Sequence, residues 1–185
     1  MIDLRFKGLP DHITVAGNPF LIKTDFRLWL NFEELLQKPQ IKLADMWDYF
    51  SGNLYPTDPD ETLKALMEFY TNPNSTPHYS GQSNTDKVVD YIEDGEYIVA
   101  SFIQAYGIDL TEIDYMHWHK FKALFNSLPE DTQMAKIIGY RSYKKSDKDT
   151  ESIYREQKQA WSFPSMKREE EKALLAEINA EFYNS

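Results

Sequence analysis

The sequence predicts a mainly α-helical protein: a helical domain with a small N-terminal β-hairpin and a C-terminal amphipathic helix. Two observations predict this class. Apolar residues recur at spacings of three and four along most of the chain, as they do on one face of a helix, whereas apolar and polar residues alternate near Ile13 and Val15. With 185 residues, of which 42% are hydrophobic and 15% aromatic, the chain can bury a substantial core.

The hairpin is predicted in residues 12–22, HITVAGNPFLI. Ile13 and Val15 alternate with polar residues, and Gly17-Asn18 is typical of a tight hairpin turn. Pro19 is tolerated at the start of an edge strand, where its missing N–H breaks no ladder. We therefore expect two short strands around Gly17-Asn18.

Three helices are expected to follow the hairpin. The first is capped by Thr24 or Asp25 and runs to about Gln37, and the second spans Ile41 to Phe50. The third opens at Asp58-Pro59, because proline is favoured in the first turn of a helix. Their apolar stripes are, in order, Leu28, Phe32, Leu35 and Leu36; Leu43, Met46, Trp47 and Phe50; and Leu63, Leu66, Met67 and Tyr70.

A loop is predicted in residues 72–84, which are rich in proline and small polar residues. Thr85 then caps a long helix that Gly107 ends. This helix contains the acidic run DYIEDGE, residues 90–96, which does not fit a calcium loop: Ile92 would take a position that needs an oxygen ligand, and Ser101 the position that needs a carboxylate. We interpret the run as the solvent-facing side of the helix.

Residues 111–141 are predicted to form two helices joined at Leu128-Pro129, an αα-hairpin. Thr111 and Asp114 form a variant of the capping box before the first helix. The second helix starts at Pro129 and carries acidic residues in its first turn, which suit the positive end of the helix dipole.

The first of these helices contains His117 and His119, which raise the question of metal or acid–base chemistry. Two residues that lie two positions apart on a helix point about 200° apart, so they cannot bind one metal ion. We expect His117 to be a half-buried hydrogen-bonding residue, and His119 to lie on the polar face with Lys122 and Asn126. No catalytic residue, metal ligand or cofactor site is predicted, and we expect the protein not to be an enzyme.

The composition changes after Arg141, which predicts a helical core domain with its hairpin in residues 1–143 and a charged linker with a C-terminal helical extension in residues 144–185. The extension is expected to hold a short helix over residues 153–161 and an amphipathic helix over residues 165–183. Such a helix packs on its own domain or binds a partner's groove. The predicted partner-binding residues are Trp161, Phe163, Leu174, Leu175, Ile178 and Phe182.

The net charge of −10 argues against broad binding to nucleic acid or anionic membranes. The acidity is concentrated in residues 41–114, with 14 acidic side chains against three lysines. Lys136 and Arg141, beside Tyr140 and Tyr143, form a small basic cluster that we interpret as solvated surface.

Three features that the sequence lacks bear on the compartment in which the protein is expected to act. The chain has no cysteine, which fits a reducing compartment. Residues 1–15 have no apolar run typical of a signal peptide, and no window approaches the length of a membrane span. We expect a protein of the cytoplasm that binds neither nucleic acid nor a membrane.

Residues 115–141, YMHWHKFKALFNSLPEDTQMAKIIGYR, place His117-Trp118 and Lys120-Phe121 before Leu128-Pro129 and end in Tyr140-Arg141. This arrangement resembles the small tail-module proteins of long-tailed phages and prophages of Gram-positive bacteria. The N-terminal hairpin, the helix with Trp29 and the late Lys/Glu-rich helix extend the resemblance over nearly the whole chain.

The resemblance implies a tail assembly chaperone of the host cytoplasm, with no enzymatic motif and no cofactor. Its partner would be the tape-measure protein, which it coats while tail tube subunits polymerise, and it could form homo-oligomers. Two alternatives stay open. One is a minor virion structural subunit, and the other is a helical regulatory adaptor that contacts nucleic acid through Lys136, Arg141, Lys144 and Lys145.

Overall fold

The computed structural model describes residues 8–71, 88–143 and 151–163. These residues form α-helices and one two-stranded antiparallel sheet, which confirms the predicted fold class. The predicted amphipathic helix at the C-terminus lies outside the described residues, as do the predicted loop in residues 72–84 and the cap at Thr85. The chain divides into two compact units, Met1–Tyr79 with Leu110–Ser127 and Ser80–Asp109 with Leu128–Ser185. The predicted boundary at residue 143 stays a prediction.

The N-terminal hairpin consists of β1 (His12–Val15) and β2 (Asn18–Leu21). Val15 pairs with Asn18, so the turn is Ala16-Gly17 and the predicted turn at Gly17-Asn18 is wrong by one residue. Both turn residues have positive φ, 48° and 79°. A two-residue hairpin turn of this kind needs two such residues in succession, and glycine is favoured at the second.

Replacing Ala16 with asparagine is expected to stabilise the protein. An alanine with φ of 48° is strained, whereas asparagine tolerates this region and Asn-Gly is the favoured pair. The free energy of unfolding should rise by about 1 kcal/mol, measured by urea denaturation. Ala16→Val should lower it, since a β-branched side chain is the most strained there. An Ala16→Asn protein no more stable than the wild type would contradict this reading of the turn.

Two short helices stand where one was predicted: α1 (Phe26–Leu30) and α2 (Phe32–Leu36). The predicted cap at Asp25 is present, since its carboxylate accepts a hydrogen bond from the N–H of Arg27 at 3.0 Å. The helix is interrupted at Asn31, a residue whose side chain competes with helical hydrogen bonds. Trp29 is fully buried, and its indole N–H donates to the carbonyl of Lys23 at 2.9 Å.

The next segment forms α3 (Leu43–Met46), a 3-10 turn over Trp47–Tyr49, and α4 (Pro59–Thr71). The predicted start of α4 at Asp58-Pro59 is confirmed, and the Asp58 carboxylate caps it by accepting from the N–H of Glu61. The predicted stripe of α4 is partly wrong, since Leu66 is its only fully buried member. The buried face is Thr62, Ala65, Leu66 and Phe69.

Helix α6 (Trp118–Phe125), numbered after α5 of the second unit, completes the first unit and begins later than the Thr111–Asp114 capping box predicted. Residues 115–117 instead run beside the start of α1. The N–H of Phe26 donates to the carbonyl of Met116 at 2.9 Å, and the N–H of Trp118 donates to the carbonyl of Thr24 at 2.7 Å. These long-range backbone bonds hold the chain extended up to His117, where the helix can begin.

The second unit contains α5 (Gly95–Tyr106), α7 (Gln133–Ser142) and α8 (Glu151–Ala160). Helix α5 ends at Gly107 as predicted, with φ of 64°. Helix α7 packs against both α5 and α8. The two helices of the predicted αα-hairpin both form, but α6 and α7 belong to different units. The predicted start of the second helix at Pro129 is wrong, because α7 begins at Gln133 and has no acidic residue in its first turn.

Residues 90–94 of the acidic run precede the helix instead of forming its solvent-facing side, so that interpretation is wrong for them, whereas Gly95 and Glu96 lie in α5. The chain turns between Asp90 and Asp94, where the N–H of Asp94 donates to the carbonyl of Asp90 at 2.8 Å. The Asp90 carboxylate accepts from the N–H groups of Ile92 and Glu93. Helix α5 therefore starts at Gly95. Asp94, the residue just before the helix, is buried.

Candidate protein-interaction site

The two predicted anchor residues that the structure describes lie at the end of α8. Phe163 is buried, with 4% of its surface exposed, and Trp161 is half-buried. The Trp161 ring meets the Tyr97 ring edge-on, with centroids 5.5 Å apart, and its N–H donates to the Gln157 side chain at 3.2 Å. Both anchors therefore pack against their own unit. The other predicted partner-binding residues, Leu174, Leu175, Ile178 and Phe182, lie outside the described residues.

Arg141, the next-to-last residue of α7, holds this end of α8 in place. Its Nε donates to the carbonyl of Trp161 at 2.7 Å, and its guanidinium lies 3.9 Å from the centre of the Phe163 ring. A third bond runs from Nη1 to the carbonyl of Val88 at 3.2 Å. A planar guanidinium can stack on a ring and donate hydrogen bonds in its own plane at the same time, which lysine cannot do.

The charge of Arg141 is balanced by Asp94. Nη1 donates to Oδ2 at 2.7 Å and Nη2 to Oδ1 at 2.9 Å, a bidentate pair between two buried side chains. Oδ2 also accepts from the N–H of Asp90 at 2.9 Å. Several hydrogen bonds to both partners are what a buried ion pair needs to offset the loss of hydration. The interpretation of Arg141 as solvated surface is therefore wrong.

Sequence reasoning missed this pair, although the spacing of residues contained a signal. Arg141 lies three positions after Ile138 and four after Ile137, so it continues the apolar stripe of α7. Asp94 lies four positions before Ile98, on the stripe that also carries Phe102. A charged residue on each of two apolar stripes indicates a buried pair when the charges are opposite.

The histidines also differ from their predicted placement. His117 is the N-cap of α6, and its Nδ1 accepts a hydrogen bond from the N–H of His119 at 3.0 Å. Its Nε2 therefore carries the proton and donates to the carbonyl of Pro10 at 2.9 Å. His119, predicted on the polar face, is buried, and its Nε2 donates to the carbonyl of Phe69 at 2.8 Å. The side of α6 that carries His119 faces α4, where the His119 ring stacks on the Phe69 ring with centroids 4.3 Å apart.

Burial lowers the pKa of His117 and lowers that of His119 to about 4, so both rings are neutral near pH 7. The geometric argument against a shared metal ion assumed that both residues were helical, and it does not apply because His117 is extended. Within the described parts of the chain, no group of three or more His, Cys, Asp or Glu side chains is arranged to hold a metal ion.

Side chains from the first five residues of α6 instead donate hydrogen bonds to the C-terminal end of α4. The Trp118 indole N–H donates to the carbonyl of Tyr70 at 3.0 Å. The Lys122 ammonium donates to the carbonyls of Tyr70 and Thr71 at 2.7 and 3.0 Å, and burial lowers its pKa to about 8. With the bond from His119 to Phe69, three side chains satisfy the last three carbonyls of α4. These polar residues therefore stabilise the packing of two helices.

Comparisons with known proteins gave one match. The family model described as Bacteriophage Gp15 protein matches residues 7–163, which is well over half of the chain. The searches of curated proteins and of solved structures found no match. None of the helices formed by the described residues is both long and apolar enough to cross a membrane.

Proposed function

Because the chain belongs to the Bacteriophage Gp15 protein family, we propose that it is a non-enzymatic phage protein that acts in tail assembly. More specifically, it acts in the host cytoplasm as a chaperone that binds the tape-measure protein during tail morphogenesis. Family membership supports the phage setting. The finer role rests on the resemblance of residues 115–141 to tail-module proteins and on the predicted C-terminal stripe.

The observation that carries the proposed binding mode is the fixed position of Phe163. Arg141 stacks on its ring and bonds to the carbonyl of Trp161, so Trp161 and Phe163 are held in place within the second unit. The sequence that follows carries the predicted amphipathic stripe of Leu174, Leu175, Ile178 and Phe182. An apolar stripe of this spacing can lie in a groove of a helical partner. In such a chaperone, Phe163 is held by Arg141, and the segment with the apolar stripe begins directly after this fixed residue.

The polar clusters support a role without catalysis. The histidines and Lys122 donate to main-chain carbonyls, and the Arg141–Asp94 pair is fully engaged inside the second unit. Each of these groups therefore has a packing role that explains its position. The burial of Arg141 also disfavours the nucleic-acid adaptor, because that alternative needs Arg141 at the surface. The net charge of −10 would keep a complex with an apolar helical partner in solution.

Co-expression with the tape-measure protein encoded in the same genome tests this proposal. We expect the tape-measure protein to co-purify with the tagged wild type, and Leu174→Asp or Ile178→Asp to reduce its recovery at least about tenfold, because each buries a charge in an apolar contact. Ala180→Asp is the matched control, since it adds the same charge on the opposite side of the predicted helix and should retain the partner.

Each other outcome of the co-purification leads to a different conclusion. If the tape-measure protein co-purifies equally with all four proteins, the stripe does not form the contact, although the chaperone role stands. If it co-purifies with none, the chaperone role is contradicted. Presence of the protein in purified virions would favour the minor structural subunit.

A further inference from the structure

The first unit carries a group of exposed apolar side chains that no part of the proposed function uses. The group consists of Leu21, Trp47, Leu54 and Tyr55, which are 56%, 47%, 77% and 43% exposed, and we call it the Trp47 patch. The Trp47 and Tyr55 rings lie 5.7 Å apart. The carbonyl of Leu21 accepts a hydrogen bond from the N–H of Ser51 at 2.9 Å, and Leu54 directly precedes Tyr55 in the chain.

The Trp47 patch has a rigid base. Phe50 is buried beneath it, and its ring lies 6.2 Å from the Tyr55 ring and 6.1 Å from the Phe20 ring. The main chain of Phe50 pairs with Ile22 at the end of β2. Exposed aromatic rings on a fixed backbone lose little conformational entropy on binding, and clustered exposed apolar side chains mark interaction sites.

The charge around the Trp47 patch is acidic. Between Lys42 and Lys64 the chain has five carboxylates and no basic residue; they are Asp45, Asp48, Asp58, Asp60 and Glu61. Asp45 is paired with Lys38 at 2.7 Å. Asp48, Asp58 and Asp60 are exposed, and so is Lys23, whose N–H donates to the carbonyl of Tyr49 at 2.8 Å. The segment that contains Trp47, Leu54 and Tyr55 therefore carries an excess of negative charge even with Lys23 included.

We propose that the Trp47 patch binds a segment of a partner protein in which large apolar side chains are flanked by Lys or Arg. The apolar side chains would cover Trp47 and Leu54, and the cations would meet Asp48 and Asp60 or stack on the rings. A second copy of this chain is the wrong occupant, because a symmetric contact would bring the two sets of carboxylates together. This surface uses other residues than the C-terminal stripe and does not depend on the proposed function.

The test measures binding of labelled synthetic peptides to the full chain by fluorescence anisotropy. Three peptides of equal length are used: a Lys/Leu amphipathic peptide, the same peptide with Glu for Lys, and the same with Ser for Leu. We expect the Lys/Leu peptide to bind, and the other two to bind at least tenfold more weakly. Binding of the Lys/Leu peptide should weaken between about 50 and about 300 mM NaCl, a range over which the screening length falls roughly 2.4-fold.

Matched variants locate the contact. Trp47→Ser and Leu54→Ser should each weaken binding of the Lys/Leu peptide about tenfold, and Asp60→Asn about threefold. Ile103→Ser is the control, because Ile103 is similarly exposed but lies in the second unit, so its effect should stay below twofold. If Trp47→Ser lowers the melting temperature, its weaker binding could come from unfolding. Leu54→Ser then decides the test, because Leu54 is the most exposed residue of the patch and its substitution should leave the fold unchanged.

Four results would overturn the proposal. The first is no binding of the Lys/Leu peptide, and the second is equal binding of the Glu/Leu peptide. The third is unchanged affinity in Leu54→Ser. The fourth is a dimer of the purified protein that Leu54→Ser converts to a monomer, because a second copy would then cover the Trp47 patch.

Discussion

Arg141→Met is expected to lower the free energy of unfolding by about 3–5 kcal/mol, the largest effect of any single substitution proposed for this chain. The substitution leaves the Asp94 carboxylate, which is 1% exposed, without its cation. The carbonyls of Trp161 and Val88 lose a donor as well, and Phe163 loses the guanidinium above its ring. Urea denaturation measures the loss. Hydrogen exchange should show faster exchange in α5, α7 and α8, the helices of the second unit.

Control variants distinguish the effect of losing the buried ion pair from the effect of losing a positive charge at the surface. Lys136→Met removes a positive charge from the exposed side of the same helix and should change stability by less than about 0.5 kcal/mol. Asp94→Leu combined with Arg141→Met should recover much of the stability lost in Arg141→Met, because no unpaired charge is then buried. If Arg141→Met behaves like Lys136→Met, the pair has no structural role.

The sequence predicts secondary structure correctly where contacts within a few residues determine the backbone conformation. The start of α4 at Asp58-Pro59, the end of α5 at Gly107 and the strands of the hairpin all depend on contacts within a few residues. The turn was misplaced by one residue because Ala16 adopts a conformation that the alanine side chain disfavours, and no local rule predicts that choice.

Long-range contacts explain the larger errors. The start of α6 is set by main-chain bonds from Phe26 and Trp118 to partners about 90 residues away in sequence, so the Thr111–Asp114 signal is overridden. Asp94 and Arg141 were interpreted from residue type alone, since charged residues are rarely buried. Their position on apolar stripes indicates burial, but the identity of the partner becomes clear only when both helices are in place. The candidate anchors Trp161 and Phe163 were identified from sequence, whereas Arg141, which holds them, was not.

Acidification is expected to destabilise the first unit as the pH falls from 6.5 towards 4. Burial lowers the pKa of His119 to about 4, whereas the same side chain in the unfolded chain titrates near 6.5. The neutral ring therefore contributes stability that is fully present above pH 6.5 and is lost as the pH falls through this range. A difference of about 2.5 pH units corresponds to about 3 kcal/mol. The pKa of His117 is lowered as well, so its contribution has the same sign.

The test compares free energies of unfolding at pH 7 and pH 5 for the wild type and two variants. His119→Gln replaces the ring with an amide that can still donate to the carbonyl of Phe69 but does not titrate, so much of the loss between the two pH values should disappear. His12→Gln is a control at an exposed histidine of β1; it removes the bond between His12 and Asp11 at 3.0 Å but leaves His119 in place, so the loss caused by His119 should remain. Carboxylates with ordinary pKa values titrate mainly below this interval, so they contribute little to the difference between variants. A pH dependence unchanged in His119→Gln would mean that His119 titrates alike in the folded and unfolded chains, and the ring would then have to reach solvent despite its burial.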